Sequence, residues 1–97
     1  MRVRFLSPAE DEIAESADYY FGESPQSLIW FLEEIDKAVD LIGQAPYRYP
    51  IYSHNVRVKQ VDRFPFSIFY RIDEDEDEVV IQSVAHNSRE PDYWGRR

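Results

Sequence analysis

The sequence predicts an α+β domain in the order β-α-α-β-β-β: an N-terminal strand, an antiparallel two-helix hairpin and three antiparallel C-terminal strands. Three observations carry this expectation. Ser-Pro pairs at 7–8 and 24–25 mark two helix starts close together in the chain. Between residues 28 and 42, apolar side chains recur at alternating spacings of four and three, the period of a helix face. Beyond residue 55, three short segments alternate or run apolar, as strands do.

Residues 2–6 alternate with period two, with Val3 and Phe5 on one face and Arg2 and Arg4 on the other, and predict a short strand. Ser7-Pro8-Ala9-Glu10 is a helix start: Ser7 as cap, Pro8 in the first turn, Glu10 closing a capping box that satisfies otherwise unpaired amides. The first helix is expected to run to about Phe21 with Ile13, Ala17, Tyr20 and Phe21 as its apolar stripe, and to stop at Gly22. Ser24-Pro25 opens a second helix that runs to about Ile42, with Gly43 as its stop. Leu28, Leu32, Ile35, Val39 and Ile42 form its seam, widened by Trp30, Phe31, Ala38 and Leu41. So short a connection makes an antiparallel helix pair. A seam this wide has to bury against a sheet.

Residues 44–54 form a proline- and tyrosine-rich loop. Val56, Val58 and Val61 mark the next strand, with Arg57 and Lys59 on its opposite face. Residues 64–72 predict a central strand, apolar on nearly both faces, and residues 79–85 a third. Six consecutive acids at 73–78 make the hairpin tip between them, and residues 86–97 form a tail.

At 97 residues the chain is one domain, 1–97, with no internal repeat or linker. The absence of cysteine excludes a disulfide framework, a thiolate nucleophile and a Cys-based zinc site, and fits the cytoplasm. Neither a signal peptide nor a membrane span is legible. The acidic run lacks the glycine and the spaced ligands of a calcium loop, so no metal is expected. The net charge of −8 is unevenly placed. Residues 1–40 hold ten acids against three bases, whereas residues 41–72 hold five bases against Asp62. An anionic ligand therefore has a local basic surface despite the acidic total.

The run Arg63-Phe64-Pro65-Phe66-Ser67-Ile68-Phe69-Tyr70 and the run from Ser83 to Trp94, with His86, Arg89, Pro91 and Tyr93, carry a family resemblance. Together with the element order, they make the chain similar over essentially its whole length to the RelE/ParE toxins of type II toxin–antitoxin modules. The two runs are similar to those of proteins described as ParE-like or plasmid-stabilisation toxins, and by themselves they do not choose between the family's activities. The resemblance implies one of two activities. RelE-like members cut messenger RNA in the ribosomal A site without a metal; ParE-like members inhibit DNA gyrase. Both are neutralised by a cognate antitoxin, through which any oligomer would form. Neither activity needs a cofactor.

Metal-free RNA cleavage needs a base, an acid and positive charge for the phosphate. Arg57 and Lys59 match basic strand positions of RelE-like enzymes and, at period-two spacing, point the same way. Arg89 and Tyr93 match tail positions used in stacking or transition-state support, and His86 offers an imidazole as general acid or base. Two departures weigh against this chemistry: Ser67 and Asn87 stand where a RelE-like enzyme has arginines. The bland readings are a half-exposed strand for Arg57 and Lys59, a hydrogen-bonded strand end for His86, and core packing for Tyr93 and Trp94. Tyr47, Tyr49 and Tyr52 make either a partner surface or a lid on the core, and Trp30 and Phe31 have width left for a partner segment. Three functions follow, in order: a ParE-like inhibitor of a cellular target such as gyrase, a RelE-like endoribonuclease acting on ribosome-bound mRNA, and a non-toxic binding module.

Overall fold

The computed structural model describes residues 1–88. The elements are β1 (Arg2–Phe5), α1 (Ser7–Glu23), α2 (Pro25–Gln44), β2 (Ile51–Ser53), β3 (Val56–Gln60), β4 (Phe66–Asp73) and β5 (Glu78–His86). All five strands form one sheet in the order β1-β5-β4-β3-β2. The expected α+β arrangement is present, with two differences. A short strand, β2, sits inside the segment read as a loop and pairs antiparallel with β3. The sheet is also mixed: β1 runs parallel to β5, with Val3 opposite Val79 and Phe5 opposite Ile81. Parallel strands need a long crossover, and everything between β1 and β5 serves as one. Among the described residues, no helix is long and apolar enough to cross a membrane.

The helix ends follow the prolines more than the glycines. Leu6 is still tied to the sheet, its amide donating to the Ile81 carbonyl at 2.9 Å, and it occupies the N-cap position with extended backbone. Ser7 is therefore already helical. It does not cap, and the expected capping box does not form. Ser24 does cap α2, its Oγ accepting from the Ser27 amide at 3.0 Å. Gly22 lies inside α1, which ends at Glu23 because Pro25 forces Ser24 out of the helical region. Gly43 likewise lies inside α2, which stops before Pro46. Its use is close approach: a Cβ there would stand 3.2 Å from the Val3 side chain and 3.3 Å from the Met1 carbonyl.

One core fills the space between the hairpin and one face of the sheet. Ala9, Phe31, Ile35, Ala38 and Ile42 pack against Phe66, Ile68, Tyr70, Val79, Ile81 and Val84. The buried face of α2 is thus centred on 31-35-38-42, rotated from the expected seam, and Leu32 is left exposed. Phe31 is fully buried and unavailable to a partner; Trp30 remains 48% exposed. Phe21, assigned to the stripe of α1, is 59% exposed. Tyr20 does its work, stacked on Phe31 at 4.9 Å and edge-on to Phe64 at 5.0 Å. β4 begins at Phe66 because Pro65 has no amide for a central ladder and Arg63 turns the chain at φ 68°.

A buried carboxylate locks α1 to the sheet. The β4–β5 ladder slips between Phe69 and Tyr70, which pair with Ser83 and Ile81 and leave Gln82 as an extra residue. At this bulge Glu12, 8% exposed, accepts from the Val84 amide at 3.0 Å and from Ser83 Oγ at 3.1 Å. Glu12→Ala would leave the buried Val84 amide without its acceptor. We expect a loss of about 2–4 kcal/mol in chemical denaturation, and Glu12→Gln, which still accepts, to lose about half as much.

Candidate functional site

Arg57 and Lys59 point the same way, as their spacing predicts, and because they lie opposite Tyr70 and Ile68 of β4 the face they share is the helix side of the sheet. That face is covered there by the segment joining α2 to β2. Tyr70 donates its hydroxyl to the Pro46 carbonyl at 2.6 Å. Arg57 Nη1 donates to the carbonyls of Tyr49, at 2.7 Å, and Tyr47, at 3.2 Å, and the guanidinium stands 5.5 Å from the Tyr47 ring centre. Lys59 Nζ sits 4.7 Å from the Tyr49 ring centre. The tip of the β4–β5 hairpin completes the closure, where Tyr47 donates to Glu74 at 2.9 Å. Of the tyrosines, Tyr49 packs against the core as a lid, Tyr47 is exposed, and Tyr52 crosses to the other face and meets Phe69 edge-on at 5.0 Å.

Arg57 is thus engaged by main-chain carbonyls, whereas Lys59 keeps its ammonium at the surface between a tyrosine face and the Gln60 carbonyl. His86 lies opposite Phe66, two strands from Lys59. Its Nδ1 accepts from the Ser88 amide at 3.1 Å, which places the proton of the neutral ring on Nε2, and its ring meets Phe66 edge-on at 5.2 Å. The structure therefore brings Arg57 and Lys59 together and sets His86 apart. Arg89 and Tyr93 lie outside the described residues.

The other sheet face carries a neutral polar group. Ser67 Oγ stands 2.6 Å from Asn87 Oδ1 and 3.1 Å from Gln60 Oε1, and Asn87 Nδ2 donates to Gln60 Oε1 at 3.3 Å. A hydroxyl has one proton, which the shorter contact assigns to Asn87. Ser67 and Asn87 are therefore bonded to each other.

Two buried acids escaped the sequence reading. Glu12 anchors the bulge described above. Glu34 is 8% exposed and pairs with Lys37 at 3.2 Å and Arg63 at 3.7 Å. Both were findable: each occurs at helical spacing among buried apolar residues, Glu12 after Ala9 and Glu34 after Phe31. The expected solvated tip is also shorter than six residues. Asp73 and Glu78 pair in the ladder, and Glu78 accepts from Arg4 at 3.0 Å. Among the described residues, no group of three or more His, Asp or Glu side chains is placed to hold a metal.

A two-helix hairpin strapped across a mixed sheet of this order is shared with chains of known toxin–antitoxin assemblies. The chain is similar to one in the chromosomal ParDE TA system from P. aeruginosa, with TM-score 0.77 and 20% identity over 89% of this chain and 95% of that one. It is also similar to one in the RelBE2 toxin–antitoxin complex from Mycobacterium tuberculosis, with TM-score 0.60 and 20% identity over 88% and 95%. At that identity the likeness establishes the fold. A comparison with curated proteins gives no match. The family model described as ParE toxin of type II toxin-antitoxin system, parDE, matches residues 3–91. The chain belongs to that family.

Tyr70 links the lid to pH. Burial, then the neighbouring Tyr49, push its phenol up to about 12 from 10.0, against the opposing pull of Arg57. The folded form holds this proton where the unfolded chain has released it. Its contribution is therefore whole below pH 10 and is lost as pH rises toward 12. Tyr70→Phe should lower stability at neutral pH by about 1 kcal/mol through the lost bond to Pro46. It should also flatten the decline between pH 10 and 12 in a denaturation series.

Proposed function

We propose that this ParE-family toxin acts by binding and inhibiting a cellular target, DNA gyrase, and that a cognate antitoxin neutralises it. The observation that carries the reading is the Gln60–Ser67–Asn87 group. Cleavage of RNA without a metal relies on fixed cations around the phosphate. This chain has a closed, uncharged network at two of the places where a RelE-like enzyme puts them. Arg57, a third such cation, is turned onto the carbonyls of Tyr47 and Tyr49. The net charge of −8 further opposes docking on ribosomal RNA.

The assay is induction in growing cells, followed by gyrase supercoiling with the purified chain. We expect growth arrest, relief by the antitoxin encoded in a neighbouring reading frame, and loss of supercoiling. Arrest accompanied by messenger RNA cleavage in translating ribosomes, with supercoiling intact, would overturn the gyrase reading in favour of the endoribonuclease. Unimpeded growth on strong expression would leave the binding module.

A further inference from the structure

A cleft of about 550 Å³ opens between α1 and the ends of β4 and β5. Its size falls within the range of ligand pockets, ~300–1,000 Å³. Tyr19, Tyr20 and Phe66 supply aromatic walls, and Glu15 and Ser16 line it from α1. Its floor is fixed: Tyr20 stacks on the buried Phe31, and Phe66 is held edge-on by His86. Tyr19, by contrast, is 64% exposed and stands edge-on to Tyr20 at 5.1 Å. The cleft is therefore built on the rigid core but presents an exposed ring together with one carboxylate, Glu15.

No Lys or Arg is among the described residues that line it. The His86 Nδ1 is directed at Ser88 and not at Glu15. Aromatic faces beside a carboxylate make a receptor for a guanidinium or an ammonium, through cation–π attraction and charge-assisted hydrogen bonds. The surrounding surface has the same sign, since residues 1–40 hold ten acids and three bases, and it steers a basic partner toward the hairpin.

We propose that this cleft receives an arginine or lysine side chain from the segment of the antitoxin that covers the helix hairpin. The identity of the occupant rests on the toxin reading; the chemistry of the cleft does not. The probe is N-acetyl-arginine amide, titrated into the whole chain at low salt, with N-acetyl-norleucine amide as the uncharged control. The backbone amide signals of residues 15–20 and 86–88 report binding in NMR spectra.

The expected result is saturable shifts confined to those residues with the arginine amide and none with the norleucine amide. Glu15→Gln, an exposed and conservative change, should weaken binding about tenfold. Shifts elsewhere only, equal binding of the norleucine amide, or unchanged affinity of Glu15→Gln would overturn the cleft. With the antitoxin from the neighbouring reading frame, Glu15→Arg should weaken the complex at least about tenfold, because it sets like charges face to face. Unchanged affinity there overturns the assigned occupant. A chain that binds arginine amide but does not arrest growth would contradict the toxin reading and leave the cleft standing.

Discussion

The contact between Glu12 and the bulge of β5 orders much of this molecule. Past Ile81, β5 has no strand on its β1 side, and buried amides without acceptors are costly. Glu12 meets the Val84 amide and the Ser83 hydroxyl together, and it does so from the middle of α1. The helix is thereby fixed over β5 in one register. Tyr20, two turns further on, then falls onto Phe31, Phe64 and Phe66. The cleft beside Tyr19 inherits its geometry from the same placement.

At the other end of the sheet a second polar clasp controls what the basic residues can do. A loop that runs over a core must satisfy its carbonyls. Tyr70 takes that of Pro46 and Arg57 those of Tyr47 and Tyr49. The basic strand thus spends its strongest donor on architecture. On the other face of the sheet Ser67, Gln60 and Asn87 are closed on one another. Meanwhile the helix hairpin exposes Tyr19, Phe21 and Trp30 among carboxylates, a surface suited to a partner more than to a nucleic acid.

Most of the architecture was legible from local chemistry. The Ser24-Pro25 start, the alternation around Arg57 and Lys59, and the apolar runs of β4 and β5 each report a backbone period or a proline constraint that acts within a few residues. The misreadings share one cause. Ser7 failed as a cap because Leu6 is held by Ile81, far away in the chain. Gly22 and Gly43 looked like stops, yet Pro25 and Pro46 ended the helices and Gly43 was kept for the approach of β1. Of the candidate site, the shared face of Arg57 and Lys59 was visible, while the carbonyls that occupy Arg57 were not.

The sequence by itself determined every element but β2, the helix pairing and the uneven charge, because propensity, period and composition are properties of neighbouring residues. Only the tertiary structure decided that β1 enters parallel beside β5, that Phe31 is core and Trp30 surface, and that Glu12 and Glu34 are buried. It also decided that Ser67 and Asn87 satisfy each other. These outcomes depend on which groups meet across the core. A carboxylate on a helix face has the same local signal whether it ends in water or against an unpaired amide.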